Sequence, residues 1–576
     1  MSRTAIMVCI GLLCGLLAVS AMAAGQVRVK VNGDHPALER NANTYLGEVT
    51  GRSADNLRRY ASHAADEVAR AVRALGYYQP DISWRVESNG LAQLILTVDP
   101  GPTVIIQESR VEIRGPASSD PGWPAIDTSA IGEGQTLHHG DYNQVRDSIR
   151  SQGRRLGYFD GQLTEHRMIV NPEAGTARLT LIYESGPRYR FGTVSFQGGH
   201  EFDDDLLSGY VPFKRGDPYD ADVVADLNSH LSNSGYFSRV IVDPRPQISA
   251  DQSVPVVVNL RARDPRSVSA GVGFSTDVGP RFRGDWTEHW INQWGHKRGV
   301  ETEISQPRQS LSTWYELPLD PPMTDSIRLN AGYQREDIED VASDRLVLGQ
   351  QWQHELSSGW QQVLSLKWQG ERYRIGQRRE NRSTLLLPGI SYSKLNADNP
   401  IDPSRGFRLV LDVAGSHRAV LSDADILHVR GLARGLITLA DRHRFLARVE
   451  AGAVATNDFE DVPPSLRFFA GGDQSVRGYG YETLAPEGAD GETEGGRYLL
   501  ATSVEYQYEF SPAWRVATFY DEGNAVNSLN DRLASGYGVG LRWVSPVGPI
   551  RLDVARGLDP SLGGGWRLHF SMGPEL

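Results

Sequence analysis

The chain has only two cysteines among its 576 residues, Cys9 and Cys14, and no thiol beyond them. That leaves no pair for a structural disulfide and no Cys-based metal site in the rest of the chain. Long apolar runs are scarce too. One extends from Ala5 to Val19, and no later segment approaches an uninterrupted span. A helical membrane protein is thereby excluded, but a β-barrel is not, because its strands hide their apolar content in alternation. Positive charge is in deficit, with 59 Lys and Arg against 71 Asp and Glu. Nucleic acid is therefore not an expected partner, since phosphate binding wants a basic face. Catalytic signatures are missing as well: there is no G-x-S-x-G, H-E-x-x-H or G-x-x-x-x-G-K-[ST] pattern. The acidic stretch Glu487 to Glu494 lacks regular ligand spacing and reads as a solvated loop rather than a Ca²⁺ site. The expectation is a protein without catalytic residues, metal or cofactor.

What is present begins with Met1-Ser2-Arg3, the apolar run, and Ala21-Met22-Ala23. A basic start, an h-region of this length and an A-x-A site describe a cleaved secretory signal over residues 1–23. The alternative is an N-terminal anchor, but the run falls short of the ~20 residues a spanning helix needs. Leu13 precedes Cys14 where a lipid-modified N-terminus would carry a small residue.

The N-terminal half repeats itself. Leu75-Gly76-Tyr77, Leu156-Gly157-Tyr158 and Ser234-Gly235-Tyr236 recur at intervals of 81 and 78 residues. Helical spacing precedes each one: Leu57, Ala61, Ala64, Val68 and Val72 in the first, Tyr142, Val145 and Ile149 in the second, Val224, Leu227 and Leu231 in the third. Glycine suits the left-handed residue after a helix, and the aromatic can fold back on the last turn. Alternating strands follow, and each unit opens with another strand, at Val27–Val31, Val111–Ile113 and Val194–Phe196. The unit reads β-α-α-β-β, giving expected domains at 24–104, 105–188 and 189–264. Such domains could be mere spacers, or could add a partner's extended chain to an exposed sheet edge.

After Asp264-Pro265 the helical signal stops. Sixteen candidate strands begin near residues 268, 282, 298, 310, 326, 345, 360, 384, 406, 425, 444, 497, 514, 535, 549 and 566. Leu364, Leu366 and Trp368 oppose Ser365, Lys367 and Gln369, and Trp566, Leu568, Phe570 and Met572 oppose Arg567, His569 and Ser571. A soluble sandwich would also alternate, but an even count of this size behind a secretory signal favours a transmembrane antiparallel β-barrel over residues 265–576. The longest loop, from about Thr456 to Arg497, contains Phe468-Phe469-Ala470-Gly471-Gly472-Asp473-Gln474-Ser475 and then Val476-Arg477-Gly478-Tyr479. Some forty residues on, Phe519, Asp521 and Gly523 share one strand face. If that face looks into the barrel, Asp521 can grip Arg477 through a bidentate contact and hold the loop inward.

Together these features resemble the BamA-like superfamily of assembly factors with POTRA domains, and within it the outer-membrane subunits of translocation and assembly modules (TamA). The likeness rests on the three repeats, on Gly271-Val272-Gly273-Phe274-Ser275-Thr276-Asp277 opening the barrel, and on the Arg477 and Asp521 elements. It also rests on Ser545-Pro546-Val547-Gly548-Pro549-Ile550 and the terminal Gly573-Pro574-Glu575-Leu576. The resemblance implies a cell outer-membrane barrel with periplasmic N-terminal domains. Its implied partners are a TamB-like inner-membrane-anchored subunit, client outer-membrane barrels and autotransporters, and the lipid bilayer. It also implies a weak lateral seam between first and last strands. Gly271 and Gly273, which offer no packing, and Phe274 would line one side, with Leu568, Phe570 and Met572 on the other. A disulfide between positions 273 and 570 would then hold the seam shut. A conduit for phospholipid between the two membranes is the alternative use of the same seam, and an outer-membrane hydrolase the remaining one.

Overall fold

A computed structural model describes residues 27–88, 92–246, 251–545 and 548–573. The signal segment, Pro546-Val547 and the terminal Pro574-Glu575-Leu576 lie outside the described residues. The chain divides into two compact units. One comprises Met1–Ser195, Phe213–Ala225 and Pro244–Val257, the other Phe196–Pro212, Asp226–Asp243 and Val258–Leu576.

The first repeat runs β1 (Val27–Val31), α1 (Pro36–Leu46), α2 (Ala54–Arg73), β2 (Asp81–Glu87) and β3 (Gln93–Asp99). Ser53 caps α2, its hydroxyl accepting the Asn56 N–H at 3.3 Å. The apolar stripe Leu57, Ala61, Ala64, Val68, Ala71 and Val72 is wholly buried and packs on Leu94, Leu96 and Val98 of β3. That strand is the centre of the sheet, parallel to β1 and antiparallel to β2. The chain leaves α2 as expected: Gly76 is left-handed at φ 91°, and the Tyr77 N–H returns to the Val72 carbonyl at 3.3 Å.

The second repeat holds β4 (Ile105–Arg114), α3 (His139–Arg155), β5 (Gln162–Asn171) and β6 (Thr176–Glu184), in sheet order β4-β6-β5. Here the β-α-α-β-β reading needs correction. Two 3₁₀ turns, Pro116–Ser119 and Ser129–Ile131, stand where the first helix was expected. Pro121, Gly122 and Pro124 interrupt that stretch, and proline removes an amide donor and clashes with the preceding turn. The third repeat has the full set: β7 (Arg190–Gln197), α4 (Asp204–Gly209), α5 (Ala221–Asn233), β8 (Phe237–Pro244) and β9 (Ser253–Ala262), in order β7-β9-β8.

The remainder is one sixteen-stranded sheet in strict chain order. Its strands are β10 (Arg266–Ser275), β11 (Gly279–Glu288), β12 (Lys297–Ser305), β13 (Arg308–Pro318), β14 (Asp325–Ile338), β15 (Val341–Glu355), β16 (Gln361–Ile375) and β17 (Asn381–Ala397). They continue with β18 (Arg405–Ser416), β19 (Ile426–Leu439), β20 (His443–Thr456), β21 (Tyr498–Ser511), β22 (Trp514–Val526), β23 (Ala534–Ser545), β24 (Gly548–Gly557) and β25 (Trp566–Met572). Each starts within four residues of its expected position. Alternation sorts the faces cleanly. In β22, Arg515, Ala517, Phe519 and Asp521 are buried, while Trp514, Val516, Thr518 and Tyr520 are exposed. The outward set continues round the barrel with Val268, Leu311, Leu329, Leu366, Val504, Val539 and Leu568. An apolar belt outside a charged interior is what a hydrocarbon surround requires.

Candidate functional site: an inward loop and an unzipped seam

The loop between β20 and β21 folds back into the barrel and is tied to itself by isolated antiparallel bridges. Its bridges are Phe468 to Gly496, Ala470 to Leu484 and Glu487 to Thr493. Val462, Phe468, Ala470, Val476, Tyr479 and Leu484 form one buried cluster with Leu499, Ala525 and Ala534 of the wall. The loop is thus held by apolar packing as well as by charge.

Arg477 is the centre of a polar network. Its Nε and Nη2 donate to the two Asp521 oxygens at 2.8 and 2.9 Å, a bidentate fork. Its own backbone N–H adds a third bond to Asp521 at 3.1 Å. Nη1 reaches Glu505 at 2.8 Å and Asp553 at 3.1 Å, and Nη2 reaches Ser503 at 3.3 Å. The guanidinium carbon sits 3.3 Å from the Phe519 ring centroid, so the aromatic face floors the charge. Arg542 closes the network, bonding Glu505 at 2.8 Å and Asp553 at 2.6 Å. Exposure is 7% for the Arg477 side chain and 0% for Asp521. The barrel thereby brings together Arg477, Asp521 and Phe519, three residues singled out in the sequence. Glu505, Asp553, Arg542 and Ser503 went unremarked. Strand parity marks all four as lumen-facing, but nothing local ties them to Arg477.

The flanking residues hold the element in place. Gly478 has φ 94°, and a Cβ there would stand 2.3 Å from the Gly557 nitrogen. Its N–H donates to His569 Nε2 on β25 at 3.0 Å. The Tyr479 hydroxyl donates to the Ser535 carbonyl at 3.0 Å and accepts the Asp559 N–H at 3.1 Å. A Cβ on Gly523 would meet the Leu500 carbonyl oxygen at 2.4 Å, so β21 and β22 approach closely behind Asp521. Further along, the Asp473 N–H donates to Asp277 in the β10–β11 turn at 2.7 Å. Burial, and then the Asp473 charge, push the Asp277 carboxyl up to about 8.

The sheet order begins at β10 and ends at β25, and among the described residues no ladder joins the two. They meet near one end. The Thr276 N–H donates to the Phe570 carbonyl at 3.1 Å, and the Phe570 N–H donates to the Thr276 hydroxyl at 3.1 Å. The Phe274 and Phe570 rings lie 5.8 Å apart. Position 570 therefore faces Thr276, three residues beyond Gly273, and the 273–570 pairing is corrected accordingly. Open space surrounds Gly271, and Val268 and Val272 are 77% and 82% exposed. Leu568, Phe570 and Met572 pair inward with Val554, Leu552 and Ile550 of β24, while Leu568 and Met572 stay exposed on the outer face. A cavity of ≈ 290 Å³ lined by Gly273, Phe274, Arg281, Gln474, Ser571 and Met572 lies along the seam.

An apolar-belted barrel with a plugged, charged lumen, preceded by small α+β repeats, is an outer-membrane barrel carrying periplasmic domains. The sequence model of the Omp85 superfamily domain matches residues 267–575, and the chain belongs to that superfamily. Residues 28–100 match a model described as POTRA domain TamA domain 1, and residues 189–263 one described as surface antigen variable number repeat, of the POTRA type. Among characterised relatives, outer membrane protein assembly factor BamA of Nitratidesulfovibrio vulgaris is 23% identical over 418 residues, covering 69% of this chain and 52% of that protein. Its namesake in Neorickettsia risticii is 23% identical over 430 residues, covering 67% and 55%. The chain thus spans about half the length of the curated relatives it matches. The crystal structure of BamA from Haemophilus ducreyi lacking POTRA domains 1–3 superposes with a TM-score of 0.67 at 16% identity, over 82% of this chain and 99% of that one.

Proposed function

We propose that the chain is a non-enzymatic outer-membrane protein assembly factor that passes client barrels, autotransporters among them, through the β10/β25 seam. One observation carries the reading: among the described residues, the first and last strands of the barrel are the neighbours that no ladder joins. An unpaired edge is a template for another strand, and a client's terminal strand supplies one. The BamA relatives bear the name of assembly factors, and the TamA-type first domain supports a TamB-like inner-membrane-anchored partner. In this proposal the units at 24–104, 105–188 and 189–264 receive partner and client, offering β2, β5 and β8 as sheet edges. The Arg477–Asp521 lock keeps the loop inside the lumen, and client folding and insertion supply the driving force.

The test is a cysteine pair, Thr276→Cys with Phe570→Cys. One backbone hydrogen bond joins the two residues, from the Thr276 N–H to the Phe570 carbonyl, and a disulfide bridges Cα atoms about 4.4–6.8 Å apart. Oxidation should abolish client insertion, and reduction should restore it. Client insertion undiminished by a quantitatively formed crosslink would refute the seam mechanism. Intact client insertion with blocked lipid exchange would instead assign the seam to phospholipid transport.

A further inference from the structure

Three arginines stand in one row on adjacent strands: Arg408 of β18 lies opposite Arg434 of β19, which lies opposite Arg448 of β20. Arg448 points into the lumen, because its guanidinium donates to the Gln474 and Ser475 carbonyls of the inward loop. Directly opposed residues share a face, so Arg434 and Arg408 point there too. Like charges so placed repel, and carboxylates would be expected between them. Arg430, four residues before Arg434, has one: it bonds Glu450 at 2.6 Å. Among the described residues Arg408 and Arg434 make no ion pair and no side-chain hydrogen bond, and Arg434 Nε is buried without a partner. A cavity of ≈ 70 Å³ opens beside Arg434 and Arg448, which line it together with Arg551 and Ser503, and Arg408 stands next in the row. Of the two carboxylates in its lining, Glu505 is bound by Arg477 and Arg542, and Asp473 is anchored through its backbone N–H, which donates to Asp277.

The geometry points to an anion site in the lumen that takes a phosphomonoester group. A phosphoryl group carries close to two negative charges and three acceptor oxygens, enough for several guanidinium forks at once. A carboxylate brings one charge and two oxygens, and would leave the row largely uncompensated. The space holds about five water-sized spheres, which suits a phosphoryl group but not an entire lipid. The site takes this chemistry from free phosphate or from the headgroup of a phosphatidic-acid-type lipid reaching in.

Calorimetry on the full chain in a maltoside detergent tests this with two probes, inorganic phosphate and dihexanoyl phosphatidic acid below its micellar concentration. Saturable binding is expected, about tenfold weaker in Arg434→Gln, where one charge-assisted fork is lost. Arg408→Gln should weaken it too and serves if the first variant folds poorly. The exposed Arg532→Gln should bind as the parent does. Without phosphate, Arg434→Gln should melt no lower than the parent, since a repulsion is relieved. Binding of both probes assigns the site to phosphate itself, and binding of the lipid alone assigns it to a headgroup. Either outcome supports the site. Failure of both probes to saturate, equal affinity in both arginine variants, or binding of hexaglutamate in their place overturns it.

Discussion

Arg477→Ala is the sharpest perturbation of the inward loop. The network holds two guanidinium groups, Arg477 and Arg542, and three carboxylates, Asp521, Glu505 and Asp553, a net charge of −1. Deleting Arg477 raises that to −2 and strips Asp521, which has no solvent contact, of its fork. Removing one member of a buried pair costs about 3–5 kcal/mol, because the other charge is left uncompensated. If the loss falls on loop docking, the population of the displaced loop rises by a factor of roughly 200 to 5,000. Hydrogen exchange reads this directly. Backbone amides of residues 471–480 should exchange faster by about that factor, while ladder amides of β14 to β17 hold the parent rate. Arg477→Lys keeps the charge but not the planar fork and should fall between. Adding Asp521→Asn to Arg477→Ala returns the site to −1, so the double variant should be less damaged than the single one. Exchange at 471–480 within threefold of the parent in Arg477→Ala would refute the charge lock and leave the apolar cluster as the sole anchor.

Two further outcomes are expected. Gly478→Ala forces a left-handed backbone on alanine and drives its Cβ to 2.3 Å from the Gly557 nitrogen, costing about 1–3 kcal/mol for the backbone alone; the barrel's melting midpoint should drop. Gly565→Ala, which meets open space, should stay near the parent, and equal midpoints for the two variants would contradict the packing. Asp277 ionises near 3.8 when free and near 8 in place. The folded chain therefore holds the extra proton between those limits, and stability falls as pH rises through that window and levels off above it. Asp277→Asn should gain in melting midpoint over the parent from near zero at pH 4 to a plateau above pH 8, and parallel pH profiles would dismiss the effect.

Most of the architecture was legible because period-two alternation is a strong local signal in strands facing lipid on one side and charge on the other. Trp566, Leu568 and Phe570 against Arg567 and His569 show this in five residues. In the second repeat Tyr142, Val145 and Ile149 lie on the helix that their spacing predicts, whereas the first helix was expected from the repeat alone, and the prolines at 121 and 124 deny an amide donor there. Arg477, Asp521 and Phe519 were recognisable because they sit in distinctive runs. Glu505, Asp553 and Arg542 were not, since only the pairing of β21 to β24 gathers them, and parity gives a residue's face but not its neighbour. The seam register missed for a similar reason. Thr276 lies past the end of β10, where a turn rather than alternation sets the pairing.

The third repeat is fastened to the first hairpins of the barrel. The Tyr236 hydroxyl donates to the Gly295 carbonyl at 2.7 Å, Lys297 Nζ donates to the Ser234 carbonyl at 2.9 Å, and Asp203 N–H donates to the Gln293 carbonyl at 2.9 Å. Phe202 stacks edge-on against Trp290. Three of these contacts land on the turn joining β11 to β12 and the fourth on Lys297, the first residue of β12, a single strand away from β10. If the seam parts as proposed, a tug on the stretch around Ser234 would reach it as leverage.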